Sequence, residues 1–220
     1  MIGFFSSLIS NFLAGGSYKE ELPKSRYNLV AAGDPTKIAP IAETDENLPR
    51  SFFVDSNEYK MSDFFVFQVS GNSMCPQGVE NGDLLIAKKI DGTNDLHTGD
   101  FLIIEVDESI DTGKTLVYKY KLRRFLLTTN NEAIDALIGR LKEVSPEMYL
   151  DKYQTRFREK YKVAIARYPN KELVVSTTYR EGAIDYSFHS SEFLRYRVVF
   201  YKRDKELNVT QMPRESNDDK

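Results

Sequence analysis

From about Ser51 onward, apolar and polar positions fall into short strand-like runs. Phe64–Val69, Leu84–Ala87, Phe101–Val106 and Leu116–Leu122 are apolar or alternating segments. The turn signals Asn81-Gly82-Asp83, Asp91-Gly92, Thr98-Gly99-Asp100 and Thr112-Gly113 separate them. Strands this closely spaced predict hairpins and an antiparallel, barrel-like sheet. Over 129–168 the period changes. Ile134, Leu137, Ile138 and Leu141 share one helical face. Ser145-Pro146-Glu147 then reads as a capping serine with proline at the first helical position. Met148, Leu150, Tyr153, Phe157 and Tyr161 continue a helical pattern. Strands return at Leu173–Thr178, Ala183–Phe188 and Tyr196–Tyr201, and the polar stretch after Leu207 is expected to be disordered. The pattern predicts a mainly β, barrel-type domain interrupted by a helical hairpin at about 126–170.

Ahead of that domain, Ile2, Phe5, Leu8, Ile9, Phe12 and Leu13 recur at helical spacing until Gly15 and Gly16 stop the run. The expected element is a short amphipathic helix docked on its own domain or on a partner. The other reading is a membrane-surface helix, but no Lys or Arg lies on its polar face to favour lipid. Residues 17–30, with Pro23, read as an extended linker. Residues 36–50, with Pro40 and Pro49, read as an adaptable extended segment.

At 220 residues the chain has room for one domain, or one with a small appendage. Lys+Arg 30 against Asp+Glu 33 gives a net charge of −3, which is no overall signature for nucleic acid. The single cysteine, Cys75, excludes an intrachain disulfide and leaves a Cys-based zinc site short of ligands. No cofactor or metal is expected. A reducing, cytoplasmic location fits best. No apolar run approaches a membrane span.

The informative stretch is Ser70-Gly71-Asn72-Ser73-Met74-Cys75-Pro76, followed by Glu80-Asn81-Gly82-Asp83-Leu84-Leu85. A strand runs through a glycine into Ser73, then a tight acidic turn leads to another strand. Here the chain resembles the self-cleaving serine peptidases of the LexA repressor and UmuD family. That family carries an S-G-x-S-M segment and then a G-D-L/V turn at this spacing. Signal peptidases share the bare S-M…G-D pattern. A second element is independent of the first. Leu29-Val30-Ala31-Ala32-Gly33-Asp34-Pro35 is similar to the V-A-A-G-E-P segment in which the family is cut, at an Ala-Gly bond. His97-Thr98-Gly99-Asp100, Glu172–Val175 and Tyr196–Tyr201 also resemble the family's core, while 126–170 matches nothing in it.

The resemblance implies a Ser–Lys dyad acting on the chain's own Ala32–Gly33 bond. A serine hydroxyl needs an adjacent base. An ordinary lysine, with a pKa of about 10.4, is protonated and cannot serve. Burial among apolar side chains lowers that pKa, and the neutral amine can then take the serine proton and later return it to the leaving amine. The lysine is sought in Tyr118-Lys119-Tyr120-Lys121-Leu122-Arg123-Arg124. Lys119 and Lys121 share a facing under period-two alternation. Lys119 is favoured because Val117 gives it an apolar same-face neighbour, and Lys121 is the alternative. Met74 is expected to plug the core and Cys75 to be a small buried filler. His97, in a turn-rich loop, and His189, after a strand, are each expected in a solvated or packing role rather than a catalytic one. Asp83 and Asp100 read as turn residues, with Gly82 and Gly99 at positive φ. The basic and aromatic run Lys152 to Tyr168 reads as an amphipathic helix with aromatics inward and charges solvated.

About thirty residues precede Ala32, too few for a helix-turn-helix domain, so no intrinsic DNA-binding domain is expected. The organisation is closer to UmuD. The resemblance then implies a released arm (1–32), a peptidase domain (33–207) and a polar tail (208–220). It further implies a homodimer, induction by a RecA–single-stranded-DNA filament in the DNA-damage (SOS) response, and a translesion polymerase as partner. The alternative from a different class is a non-catalytic, dimeric regulatory or partner-binding module on the same fold.

Overall fold

The computed structural model describes residues 28–31, 51–105, 120–149, 151–180, 183–203 and 209–213. The expected N-terminal helix, the segment 36–50, Ala32, Gly33 and Lys119 lie outside the described residues.

Most strands follow the predicted runs, but the run read as ending at Leu122 continues as strand to Thr129, into the stretch assigned to the helical insertion. The strands are β1 (Asn28–Ala31), β2 (Ser51–Val54), β3 (Asn57–Lys60), β4 (Phe65–Ser70), β5 (Leu84–Lys89), β6 (Phe101–Glu105), β7 (Tyr120–Thr129), β8 (Leu173–Arg180), β9 (Ala183–Ser190), β10 (Leu194–Lys202) and β11 (Thr210–Gln211). Two α-helices, α1 (Ile134–Val144) and α2 (Asp151–Arg167), occupy the connection between the antiparallel neighbours β7 and β8. The fold is therefore mainly β with a helical insertion, as the hydrophobic pattern predicts.

The main sheet runs β1-β4-β5-β10-β6-β7-β8-β9, and β1 also pairs with β7. That second pairing closes β1, β4, β5, β10, β6 and β7 into a ring. Alternation along each strand sends Phe67, Val69, Leu85, Ala87, Phe101, Ile103, Leu122 and Val198 into one inner core, with Met74 and Val79. The opposite positions Leu102 and Ile104 pack with Phe125, Val174 and Leu194 on the outer face. The helices bury Leu137, Ile138, Leu141, Phe157 and Tyr161 against β7 to β9, with their charged positions outward, as the amphipathic reading predicts.

Several expectations need correction. Residues 28–31 are not simply linker: they pair within the sheet. Thr210–Gln211 lies in the stretch expected to be disordered, yet it pairs with β10, because the apolar Met212 beside it is buried in the inner core. Ser145 does not cap a following helix. It closes α1 through its N–H to the Leu141 carbonyl, and its buried hydroxyl shares a hydrogen bond with Tyr186 Oη at 3.0 Å. Pro146 opens a short 3-10 turn, and α2 begins at Asp151. The hairpin β2–β3 turns through Asp55 and Ser56, both at positive φ, without the glycine that marks such turns in sequence.

Candidate active site

Ser73 follows β4 in a loop that two turn devices hold. Gly71, at φ 108°, donates its N–H to Asn81 Oδ1 at 2.9 Å. The Gly82-Asp83 turn grips the end of β4: Gly82 N–H donates to the Val69 carbonyl, and Val69 N–H donates to the Asp83 carbonyl. The buried Asp83 carboxylate accepts from the Glu80 N–H at 2.9 Å and from Arg203 Nη1 at 3.1 Å. Gly99-Asp100 repeats the device on β7, with reciprocal bonds to Phe125 and the Asp100 carboxylate accepting from the His97 N–H. Gly82 and Gly99 share φ 93°, and both aspartates act as turn residues, as expected. The backbone entering and leaving the serine loop is fixed on both sides.

Met74 is fully buried in the inner core, so the residue next to Ser73 anchors the loop. Because Met74 takes the inward slot, Cys75 faces outward. It is exposed, with Sγ 3.9 Å from Asn72 Oδ1, which corrects the expected buried filler. Ser73 is half-buried, and its Oγ accepts a hydrogen bond from Thr178 Oγ1 at 3.1 Å. The Ser73 carbonyl accepts from Tyr179 N–H at 3.2 Å. Thr178 carries no local sequence signal for this role, because it arrives on β8 only after the helical insertion.

β1 runs parallel to both β4 and β7. Val30 pairs with Val69 and Tyr120, and Ala31 pairs with Ser70 and Lys121. β8 follows on the same edge of β7 from Arg124 onward. The Ser73 loop meets β8 at Thr178. Of the two lysine candidates, Lys121 lies on β7, and Lys119 lies outside the described residues. Tyr120 and Leu122 join the inner core that contains Met74. Lys121 lies on the other face, where it lines a cavity together with His189.

His97 sits in an exposed turn, as expected. His189 is within β9 rather than after a strand, opposite Val174. The residue keeps partial exposure, but its Nε2 is fully shielded and has no hydrogen-bond partner. Burial first, then the positive charges of Arg123, Lys121 and Lys160, push its pKa down to about 3. Burial likewise pushes the Tyr186 phenol well above its ordinary range. Among the described residues no group of three His, Cys, Asp or Glu side chains is placed to hold a metal. No described helix is long and apolar enough to cross a membrane.

The loop geometry and the preceding strand define a peptidase-type scaffold. The chain belongs to the Peptidase S24-like family, whose model matches residues 25–144, more than half of the chain. That family is one of serine peptidases. Among curated relatives, the chain is 36% identical over 103 residues to the LexA repressor of Pseudoalteromonas atlantica, covering 47% of this chain and 44% of that one. It is 31% identical over 119 residues to the LexA repressor of Alcanivorax borkumensis, covering 54% and 52%. It is 32% identical over 113 residues to that of Aliivibrio salmonicida, covering 51% and 49%. The chain thus matches about half the length of these relatives.

Proposed function

We propose that this protein is an autoproteolytic serine peptidase that cuts its own Ala32–Gly33 bond. Ser73 is the nucleophile and a lysine of the β7 segment is the base: Lys119, with Lys121 the alternative. The observation that carries the reading is the docking of β1. Ala31, which immediately precedes Ala32 in the chain, is register partner to Ser70, three residues before Ser73. Tethering supplies a high effective concentration, and weak intrinsic binding of the segment is enough. In the reaction the neutral amine takes the Ser73 proton while Oγ adds to the Ala32 carbonyl carbon. Backbone amides around Ser73 are the natural oxyanion donors. The tetrahedral adduct expels the Gly33 nitrogen, which receives the proton from the lysine. Water then hydrolyses the acyl-serine.

On this reading the output is a LexA/UmuD-like switch in the SOS response of the cytoplasm, working as a homodimer. A RecA–single-stranded-DNA filament is the inducer, and a translesion polymerase is the partner. Comparing Ser73→Ala, Lys119→Ala and Lys121→Ala tests the assignment. Loss of cutting in Ser73→Ala and in one lysine variant alone supports it. Equal cutting in all three contradicts it.

A second reading, a non-catalytic dimeric partner-binding module, is favoured by one observation. The β7 side chains at the inner core with Met74 are Tyr120 and Leu122, and Lys121 faces the outer cavity. On this reading the wild type stays intact, and Tyr120→Lys, which puts an amine on the inner face, is the variant that gains cutting.

A further inference from the structure

β8 runs past the strand that supports it. Its ladder with β7 ends at the pair Arg124–Thr177, and the β7 edge further back is taken by β1 at Tyr120 and Lys121. Among the described residues, positions 178–180 therefore have only β9 as a sheet partner. This overhanging tip is the part of β8 that holds the serine loop. Thr178 Oγ1 donates to Ser73 Oγ at 3.1 Å and reaches Met74 Sδ at 3.5 Å. Tyr179 N–H donates to the Ser73 carbonyl at 3.2 Å. The place of the tip is set by β9, and by whatever holds β9.

The helical insertion holds β9 at the matching positions. Asp185 is the register partner of Thr178, and Tyr186 is that of Thr177. Lys160 of α2 donates to Asp185 Oδ1 at 2.5 Å and to the Tyr186 carbonyl at 2.8 Å. Arg156, one turn earlier, stands 3.5 Å from the same carboxylate. Just past the end of α1, the buried Ser145 hydroxyl meets Tyr186 Oη at 3.0 Å. The Asp185 side chain is only 15% exposed, so its charge-assisted bond to Lys160 is stronger than an ordinary surface pair.

We propose that the helical insertion sets the orientation of Ser73 through the β8–β9 hairpin, with Asp185 and Lys160 as positioning residues. Neither touches the reacting atoms. Lys160 fixes Asp185, the ladder carries the constraint to Thr178 and Tyr179, and these two fix the hydroxyl and the carbonyl of Ser73. An event that displaces α2 loosens the nucleophile without touching the serine loop. The proposal rests on Ser73 being the nucleophile, and its test keeps the two apart.

One arm of the test needs no cutting. In the full chain carrying Ser73→Ala, amide hydrogen exchange at Tyr179 reports the junction of tip and loop. Leu102, buried on β6 between β10 and β7, reports the fold as a whole. Asp185→Asn and Lys160→Met should each speed exchange at Tyr179 by at least roughly threefold and leave Leu102 unchanged. Lys160→Arg keeps the cation and should keep exchange slow. Arg158→Met removes an ion pair between α2 and Asp135 of α1 and should change neither amide. With Ser73 in place, Asp185→Asn should slow self-cleavage by roughly two- to tenfold, no more than losing the Thr178 contact itself, and Lys160→Arg should cut like wild type. Unchanged Tyr179 exchange in Asp185→Asn, an equal rise at Leu102, or cutting at the wild-type rate in Asp185→Asn would each overturn the proposal. A wild type that does not cut contradicts the peptidase reading alone, and the exchange result then decides the proposal.

Discussion

Ala31 stands opposite Ser70 in the parallel β1–β4 ladder and opposite Lys121 in the β1–β7 ladder. One four-residue strand thereby closes the barrel, and its partner Ser70 lies three residues before Ser73. On the proposed reading the bond to be cut follows directly on β1, so its presentation to the serine is intramolecular and depends on the docking of that strand.

Val30→Pro should separate these two roles. Val30 pairs with β4 on one side and β7 on the other. Proline removes its backbone donor and one ladder bond, worth about 1–3 kcal/mol when the partner is left buried and unpaired. Self-cleavage should fall by at least roughly tenfold, while the sheet of β4 to β10 keeps its circular dichroism spectrum. Unchanged cutting would show that β1 docking does not present the bond.

Thr178→Val removes the donor that holds Ser73 Oγ and keeps the side-chain volume. One neutral hydrogen bond is worth about 0.5–1.5 kcal/mol, so cutting should slow by roughly two- to tenfold. Stability to urea should change by less than about 1.5 kcal/mol. A variant that cuts as fast as wild type would mean that the Thr178 contact does not orient the nucleophile.

Asp83→Ala should be the costly change among the turn residues. Its buried carboxylate satisfies the Glu80 N–H and pairs with Arg203. Losing both is expected to cost about 2–4 kcal/mol, read as a shift of the urea midpoint. Because Asp83 also fixes Val69 through its backbone, cutting should slow as well.

His189 makes the fold acid-sensitive. Its pKa is lowered in the folded chain to about 3, from an ordinary 6.5. The unfolded chain therefore binds a proton below about pH 6.5 that the folded chain refuses until about pH 3. The stabilisation is complete above the unfolded value and is lost as pH falls through this window. Between about pH 7.5 and about pH 5 the loss is about 2 kcal/mol. Urea unfolding at both values should show that His189→Leu loses less stability on acidification than wild type by about that amount.

The strands of the barrel could be anticipated wherever side-chain alternation and turn chemistry agreed. Asn81-Gly82-Asp83 and Thr98-Gly99-Asp100 announced turns, and both glycines adopt φ 93° with the aspartates accepting backbone N–H groups. Ser73 and the Ala32–Gly33 segment stood out because two separate motifs occur in order. What escaped were features set by tertiary contact. β11 is a strand because Met212 is buried, not because of its own pattern. Thr178 meets Ser73 from 105 residues away, across the insertion. Cys75 points outward because Met74 occupies the inward slot. Alternation relates Lys119 and Lys121 to each other, but only packing shows that Tyr120 and Leu122 take the inner face.

The central claim is tested most directly by intact mass spectrometry of the full chain held from neutral to alkaline pH, with and without a RecA–single-stranded-DNA filament. Alkaline buffer favours the neutral lysine and should accelerate cutting. The account predicts two products, residues 1–32 and residues 33–220, that accumulate in wild type and are absent in Ser73→Ala. A wild-type chain that keeps its full mass under every condition would contradict it.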